Sequence, residues 1–241
     1  MTEPSVRLHG YPVSNYFNIV RAALLEKRIR FEVVPTRASQ DVAMLQKSPM
    51  GKIPFLETDQ GWLAETVAIL EFLEDRWPQP PLYPAEPFQR ARARQVINIA
   101  QMYIDSPART LYPGVFMGGA NEAAAVDSAR HVLDRAVVAL GLLIAPSPFL
   151  LGKALSYADL FLYYCLDLAD RVTQTTFAFS ILNQLDLVDW ARRIAGRQST
   201  RIVSADFCRV FPDYLAEKGA AYRGPADLIG QPGTLRVAIE S

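Results

Sequence analysis

The segment from Ser48 to Trp77, SPMGKIPFLETDQGWLAETVAILEFLEDRW, concentrates the residues best suited to binding chemistry. Pro54 enters a short strand without a backbone N–H, so Ile53 and Pro54 leave the start of that strand open to another partner. Eleven residues on, Glu65-Thr66 stands at the start of an amphipathic helix, where unpaired backbone amides attract a carboxylate. Lys52 adds a cation beside the loop, and Glu65 adds an anion. An open strand edge next to an anion-attracting helix start suits a short, acidic, peptide-like ligand.

The elements that must position these groups follow from periodicity. Val6-Arg7-Leu8-His9 reads as a strand closed by Gly10-Tyr11-Pro12, followed by a helix over 15–27 with Val20, Ala23, Leu24 and Lys27 at helical spacing. Phe31 to Val34 alternates as a second strand. A helix over 39–47 precedes Pro49-Met50-Gly51. Two strands, 55–57 and 61–63, are joined through Thr58-Asp59-Gln60. A helix over 65–77 then buries Ile69, Leu70, Leu73 and Trp77. The order predicts a small four-stranded α/β layer.

Pro78 to Pro84 reads as a linker. Beyond it the pattern is helical: 88–111, 121–144, 156–171, 185–195 and 200–210. Residues 219–241 are richer in glycine and proline and read as a wrapped or loose tail. The expected division is 1–80 and 81–241.

Composition narrows the function classes. The chain has 241 residues, enough for one or two domains with a substantial core. Twenty-five Lys plus Arg balance 25 Asp plus Glu, which argues against nucleic-acid or membrane-surface binding. No run approaches the roughly 18 apolar residues of a membrane span, and MTEPSVRLHG lacks a signal-peptide apolar region, so a cytoplasmic location is expected. Cys165 and Cys208 form no metal or redox spacing, and with His9 and His131 they supply no metal site. Cys165 reads as a small buried hydrophobe.

Taken together, SPMGKIPFL, LAETVAIL and the Leu155-Ser156-Tyr157-Ala158-Asp159 run resemble three motifs of the cytosolic glutathione transferases, in the same order and with a proline-rich segment between the halves. The resemblance covers nearly the whole chain. Its active-site region is similar to bacterial, serine-type (zeta- or theta-like) members. It implies an α/β thioredoxin-like N-terminal domain followed by an all-α helical C-terminal domain. Ser156 and Asp159 also fit an S-x-x-D capping box on their own spacing, with the serine accepting from helix amides.

The resemblance implies glutathione as co-substrate. Ile53, before a cis Pro54, would exchange backbone hydrogen bonds with the cysteinyl part. Glu65 and Thr66 would hold the γ-glutamyl ammonium and carboxylate, and Lys52 the glycine carboxylate. Ser14 falls where serine-type classes carry the hydroxyl that favours thiolate over thiol. Tyr11 is a second candidate for that role, and Ser14 could equally serve as a helix cap. Tyr16 stands where cysteine-type classes keep their cysteine, which removes a nucleophile for mixed-disulfide chemistry. Asn15 could donate to the sulfur or serve the local turn.

Tyr11, Tyr103, Tyr112 and Phe116 are expected to line the pocket for a small hydrophobic electrophile. The implied activity is glutathione transfer. The alternatives are a non-catalytic glutathione-binding or protein-interaction member of the fold, or a glutathione-dependent isomerase or peroxidase. A homodimer is expected through 65–77 and 88–111, where Arg90, Arg92 and Arg94 either face Glu71, Glu74 and Asp75 across it or form a solvated charged face.

Overall fold

The computed structural model describes residues 6–224 and 228. The first part is a four-stranded sheet, β1 (Val6–Gly10), β2 (Phe31–Pro35), β3 (Phe55–Thr58) and β4 (Gly61–Ala64), in the order β2-β1-β3-β4. β1 runs parallel to β2, pairing Leu8 with Val33, and antiparallel to β3, pairing Leu8 with Leu56. Leu8 and Leu56 are fully buried at the centre. The parallel pair needs a crossover, which α1 (Asn15–Glu26) supplies; α2 (Val42–Leu45) and α3 (Thr66–Arg76) complete the layer. The thioredoxin-like arrangement expected from the sequence is formed.

The rest is helical, with no further strand among the described residues: α4 (Pro87–Ile99), a π-helical stretch (Ala100–Asp105), α5 (Ser106–Arg109), α6 (Tyr112–Phe116), α7 (Ala123–Leu143), α8 (Tyr157–Phe177), α9 (Ile181–Gln184), α10 (Val188–Ala195) and α11 (Gln198–Glu217). Every residue of α8 from Tyr157 to Leu166 is buried. That is how a helix apolar on all sides behaves at the centre of a helical layer. At its start the Asp159 carboxylate takes the Ser156 N–H at 2.9 Å, the Ser156 hydroxyl at 2.8 Å, the Leu150 N–H at 2.8 Å and Trp190 Nε1–H at 2.9 Å. The serine's hydroxyl thus donates to the aspartate, and the aspartate is the hub.

Several boundaries differ from the periodicity; α8 runs past the expected 171 to Phe177, and α10 starts at Val188 rather than 185. The helix over 39–47 shrinks to Val42–Leu45, because the Ser39 N–H pairs with Gly51 O at 3.0 Å instead of entering a helix. The helix over 88–111 is interrupted by the π-helical stretch. α11 runs past Pro212 to Glu217, held by buried Phe207 and Phe211, whose rings stack at 4.6 Å. Of the expected tail, 225–227 and 229–241 lie outside the described residues, but Tyr222 is buried and packs edge-on to Phe116 at 5.3 Å.

The proline-rich segment is fastened down. Lys27 Nζ donates to Glu74 Oε2 at 2.7 Å and to Pro80 O at 2.9 Å. The Glu74 carboxylate in turn accepts the Leu82 and Tyr83 N–H groups at 3.1 Å, and the Tyr157 N–H donates to Leu82 O at 2.8 Å. Glu74 therefore faces inward rather than across a dimer interface. Arg94 pairs bidentately with Glu71 of the same chain at 2.6 and 2.8 Å, Arg90 donates to Pro84 O and Arg92 to Leu143 O. The charge pairing expected between subunits is in these cases internal.

Candidate active site

Ser14 caps α1. Its backbone is extended, with φ −79° and ψ 117°, and its Oγ accepts the Phe17 N–H at 3.3 Å. Its own N–H closes a turn on Tyr11 O at 3.0 Å. With an oxygen lone pair engaged, the hydroxyl proton is left to donate. Capping and donation are therefore compatible in one residue.

Ser14 lines a cavity of about 630 Å³ with Tyr11, Ile53, Tyr112 and Phe116. An adjoining cavity of about 420 Å³ gathers Lys52, Ile53, Pro54, Glu65 and Thr66 against Gln101 and Asp105 of the helical part. The Ile53–Pro54 peptide bond is cis. The loop before it is fixed by Ser48 Oγ, which donates to Lys52 O at 2.7 Å. Glu65, exposed at the head of α3, holds φ at 68°. For a non-glycine residue that conformation costs about 1–3 kcal/mol and is typical of ligand sites. Thr66 is buried beside it, and both residues at the head of α3 line this cavity.

Tyr103 does not join the pocket proposed for it. It is 47% exposed and lines a separate shallow cavity with Ile99 and Val132. Gln101, Asp105 and Arg109 recur every four positions and point at the site; Tyr103, two positions from each neighbour, is turned to the other side.

The sequence reading missed a buried cluster beside Ser14. The Asp105 carboxylate, fully buried, accepts from Asn15 Nδ2 at 2.7 Å, Tyr16 OH at 2.8 Å and Arg109 Nε at 2.6 Å. Arg109 Nη2 donates to Asn15 Oδ1 at 2.5 Å. Burial, reinforced by the Asp105 charge, pushes the Tyr16 phenol well above its ordinary range. Tyr16 is thus a neutral donor to Asp105, and Asn15 is likewise turned to Asp105. Opposite charges at a four-residue interval, Asp105 and Arg109, were the available signal, but such a pair is ordinarily a solvated helix face.

The histidines and Cys165 lie outside both cavities. His9 stacks on Phe55 at 4.5 Å with Nε2 at 3.0 Å from Glu57. His131 is exposed on α7. Burial, and then the charge of Asp105, raise the Cys165 thiol far above its ordinary value. Among the described residues no three His, Cys, Asp or Glu side chains converge as a metal site, and no helix is long and apolar enough to cross a membrane.

A thioredoxin-like layer with a cis-proline loop, packed on helices that close two joined cavities, defines a class that the comparisons identify. Residues 8–81 match the family model described as Glutathione S-transferase, N-terminal domain. The chain is 37% identical over 177 residues to a glutathione S-transferase of Pseudomonas putida, covering 73% of this chain and 80% of that one. It is 34% identical over 174 residues to a maleylacetoacetate isomerase of Dictyostelium discoideum, covering 66% and 77%. Among solved structures, a glutathione S-transferase of Methylobacterium radiotolerans in complex with glutathione sulfonate shares the fold. Its TM-score is 0.68 at 22% identity, covering 82% of this chain and 93% of that one. The chain belongs to the glutathione S-transferase family.

Proposed function

We propose that this chain is a glutathione transferase that binds glutathione in the cavity of Ile53, Glu65 and Thr66 and activates it as a thiolate for attack on a hydrophobic electrophile. The observation that carries the reading is the gathering of Lys52, Ile53, Pro54, Glu65 and Thr66 around one cavity that joins a second, lined by Ser14 and aromatic rings. The γ-glutamyl ammonium meets Glu65 and its carboxylate the Thr66 hydroxyl and the α3 amides. The cysteinyl backbone pairs with Ile53, and the glycine carboxylate meets Lys52. Residues 1–80 form the glutathione-binding unit and 81–241 the helical unit that walls the electrophile cavity.

The sulfur then lies near Ser14 Oγ, whose proton favours the thiolate together with the α1 N-terminus. A free thiol has a pKa of about 8.5, and lowering it by two units corresponds to about 2.7 kcal/mol. Rate enhancement comes chiefly from proximity and from this ionisation. Tyr11, Tyr112 and Phe116 offer ring surface to the electrophile. The likeness to proteins named maleylacetoacetate isomerases brings a second reading, glutathione-dependent isomerisation. It starts from the same thiolate, and an assay with that substrate separates the two. The protein acts as a cytoplasmic homodimer in this reading.

Calorimetry of glutathione binding to the parent protein and to Ser14→Ala, with ultraviolet difference absorbance for the thiolate, tests the assignment. The parent is expected to bind and ionise the thiol at neutral pH. Ser14→Ala should bind within a few-fold and lose the thiolate signal. Binding without ionisation in both proteins would leave a glutathione-binding fold without the transferase chemistry. An unchanged signal in Ser14→Ala would move the role to Tyr11, tested by Tyr11→Phe.

A further inference from the structure

The two cavities share two lining residues, Ile53 and Arg109. Whatever reacts between their contents does so beside this pair. Ile53 is apolar, so Arg109 is the charged group at the junction. Its guanidinium is held from behind: Nε on Asp105, Nη2 on Asn15, with its centre 4.9 Å from the Tyr16 ring and 5.2 Å from the Tyr112 ring. Nη1 donates to no partner among the described residues. The side chain is 39% exposed while Asp105 is completely buried. Both residues line the Glu65 cavity, and the guanidinium is the member of the pair that reaches its open space.

We propose that Arg109 is a second thiolate-stabilising group, acting at the junction of the two cavities alongside Ser14, and that Asp105, Asn15 and Tyr16 are the positioning residues that aim it. This rests on the transferase reading above, since it requires a bound glutathione sulfur near Ile53. A fixed cation in a partly desolvated cleft favours an anion more strongly than a mobile one in water, because its field is less screened and its rotamer is already chosen. Asp105 pins the rotamer, which leaves the Nη1 protons unengaged and available to the sulfur. The Tyr16 and Asn15 protons are committed to Asp105 and cannot replace it.

The test titrates bound glutathione by thiolate absorbance from pH 5 to 10 in the parent, Arg109→Gln, Arg109→Lys and the double variant Arg109→Gln/Asp105→Asn. S-methylglutathione binding, blind to thiol ionisation, reports on the cavity itself. The thiolate midpoint is expected to rise by about one unit in Arg109→Gln and in the double variant, with S-methylglutathione binding within about threefold of the parent. Arg109→Lys should fall between. In kcat/KM for the electrophile the loss is then about tenfold below both midpoints, about threefold at neutral pH, and fades above the new midpoint. The double variant keeps the test valid where Arg109→Gln alone leaves Asp105 buried without its cation and fails to fold.

Midpoints equal to the parent's in the double variant overturn the inference, whether or not the single variant is shifted. In that case any single-variant effect belongs to an unpaired Asp105. A midpoint in Arg109→Lys no lower than in Arg109→Gln also overturns it. If the parent itself fails to bind or ionise glutathione, the transferase reading falls first and takes this inference with it.

Discussion

At the scale of single residues, the most informative position is Glu65, where chemistry and backbone strain meet. In the proposed binding mode its carboxylate meets an ammonium group, and the chain holds φ at 68° to present it. Glycine adopts that conformation freely, at the cost of about 0.5–1 kcal/mol in unfolded-state entropy. Relief of about 1–3 kcal/mol of strain outweighs this. Glu65→Gly is therefore expected to raise the unfolding midpoint in urea while weakening glutathione binding at least tenfold. A variant both less stable and weaker in binding would show that the backbone here is unstrained. Lys52, Ile53, Pro54, Glu65 and Thr66 were legible in the sequence because they lie within one short stretch. Arg109 and Asp105 were not, since their significance comes from facing Asn15 and Tyr16 some ninety positions away.

At the scale of elements, the strands and most helices were readable from alternation and 3.6-residue spacing, and the misreadings have identifiable causes. The π-helical stretch Ala100–Asp105 interrupts a pattern that reads as one helix, because a widened turn changes hydrogen bonding without changing composition. Tyr103 was misplaced for a different reason: it was grouped with Tyr112 and Phe116 by residue type, although two-residue offsets from Gln101 and Asp105 turn it to the other side. The charges of 71–94 have the right signs for an interface, but sign alone does not choose a partner: Arg94 finds Glu71 and Lys27 finds Glu74 within the chain. The Lys27–Glu74 pair, with the lysine amine fully buried, sets up a stability prediction. Glu74→Ala strands that amine and two backbone N–H groups, and should cost about 3–5 kcal/mol. Lys27→Met/Glu74→Gln keeps an acceptor for Leu82 and Tyr83 and removes both charges, so most of that loss should return. Urea denaturation of the three proteins decides it; equal losses in both variants would refute the role of the stranded charge.

At the scale of the whole molecule, the proposed dimer has exposed apolar material available on α4, α7 and the π-helical stretch between: Phe88, Met102, Tyr103, Val138 and Leu142 all stand in solvent. Size-exclusion chromatography with light scattering should give twice the chain's 26.8 kDa, and Leu142→Glu should shift it toward the single-chain mass. A parent protein already at the single-chain mass would refute the dimer.

The fastening of residues 78–84 has a kinetic corollary. Both cavities draw walls from the α/β layer and from the helices, so a loose tether would oblige each encounter to wait for the two halves to meet. Pro80, Leu82 and Tyr83 are tied to Lys27, Glu74 and Tyr157, which fixes the segment joining the two halves. Capture of glutathione is therefore expected to follow a single concentration-dependent phase in stopped-flow, because the entropy of ordering the halves is lost during folding; a slower concentration-independent phase would contradict this.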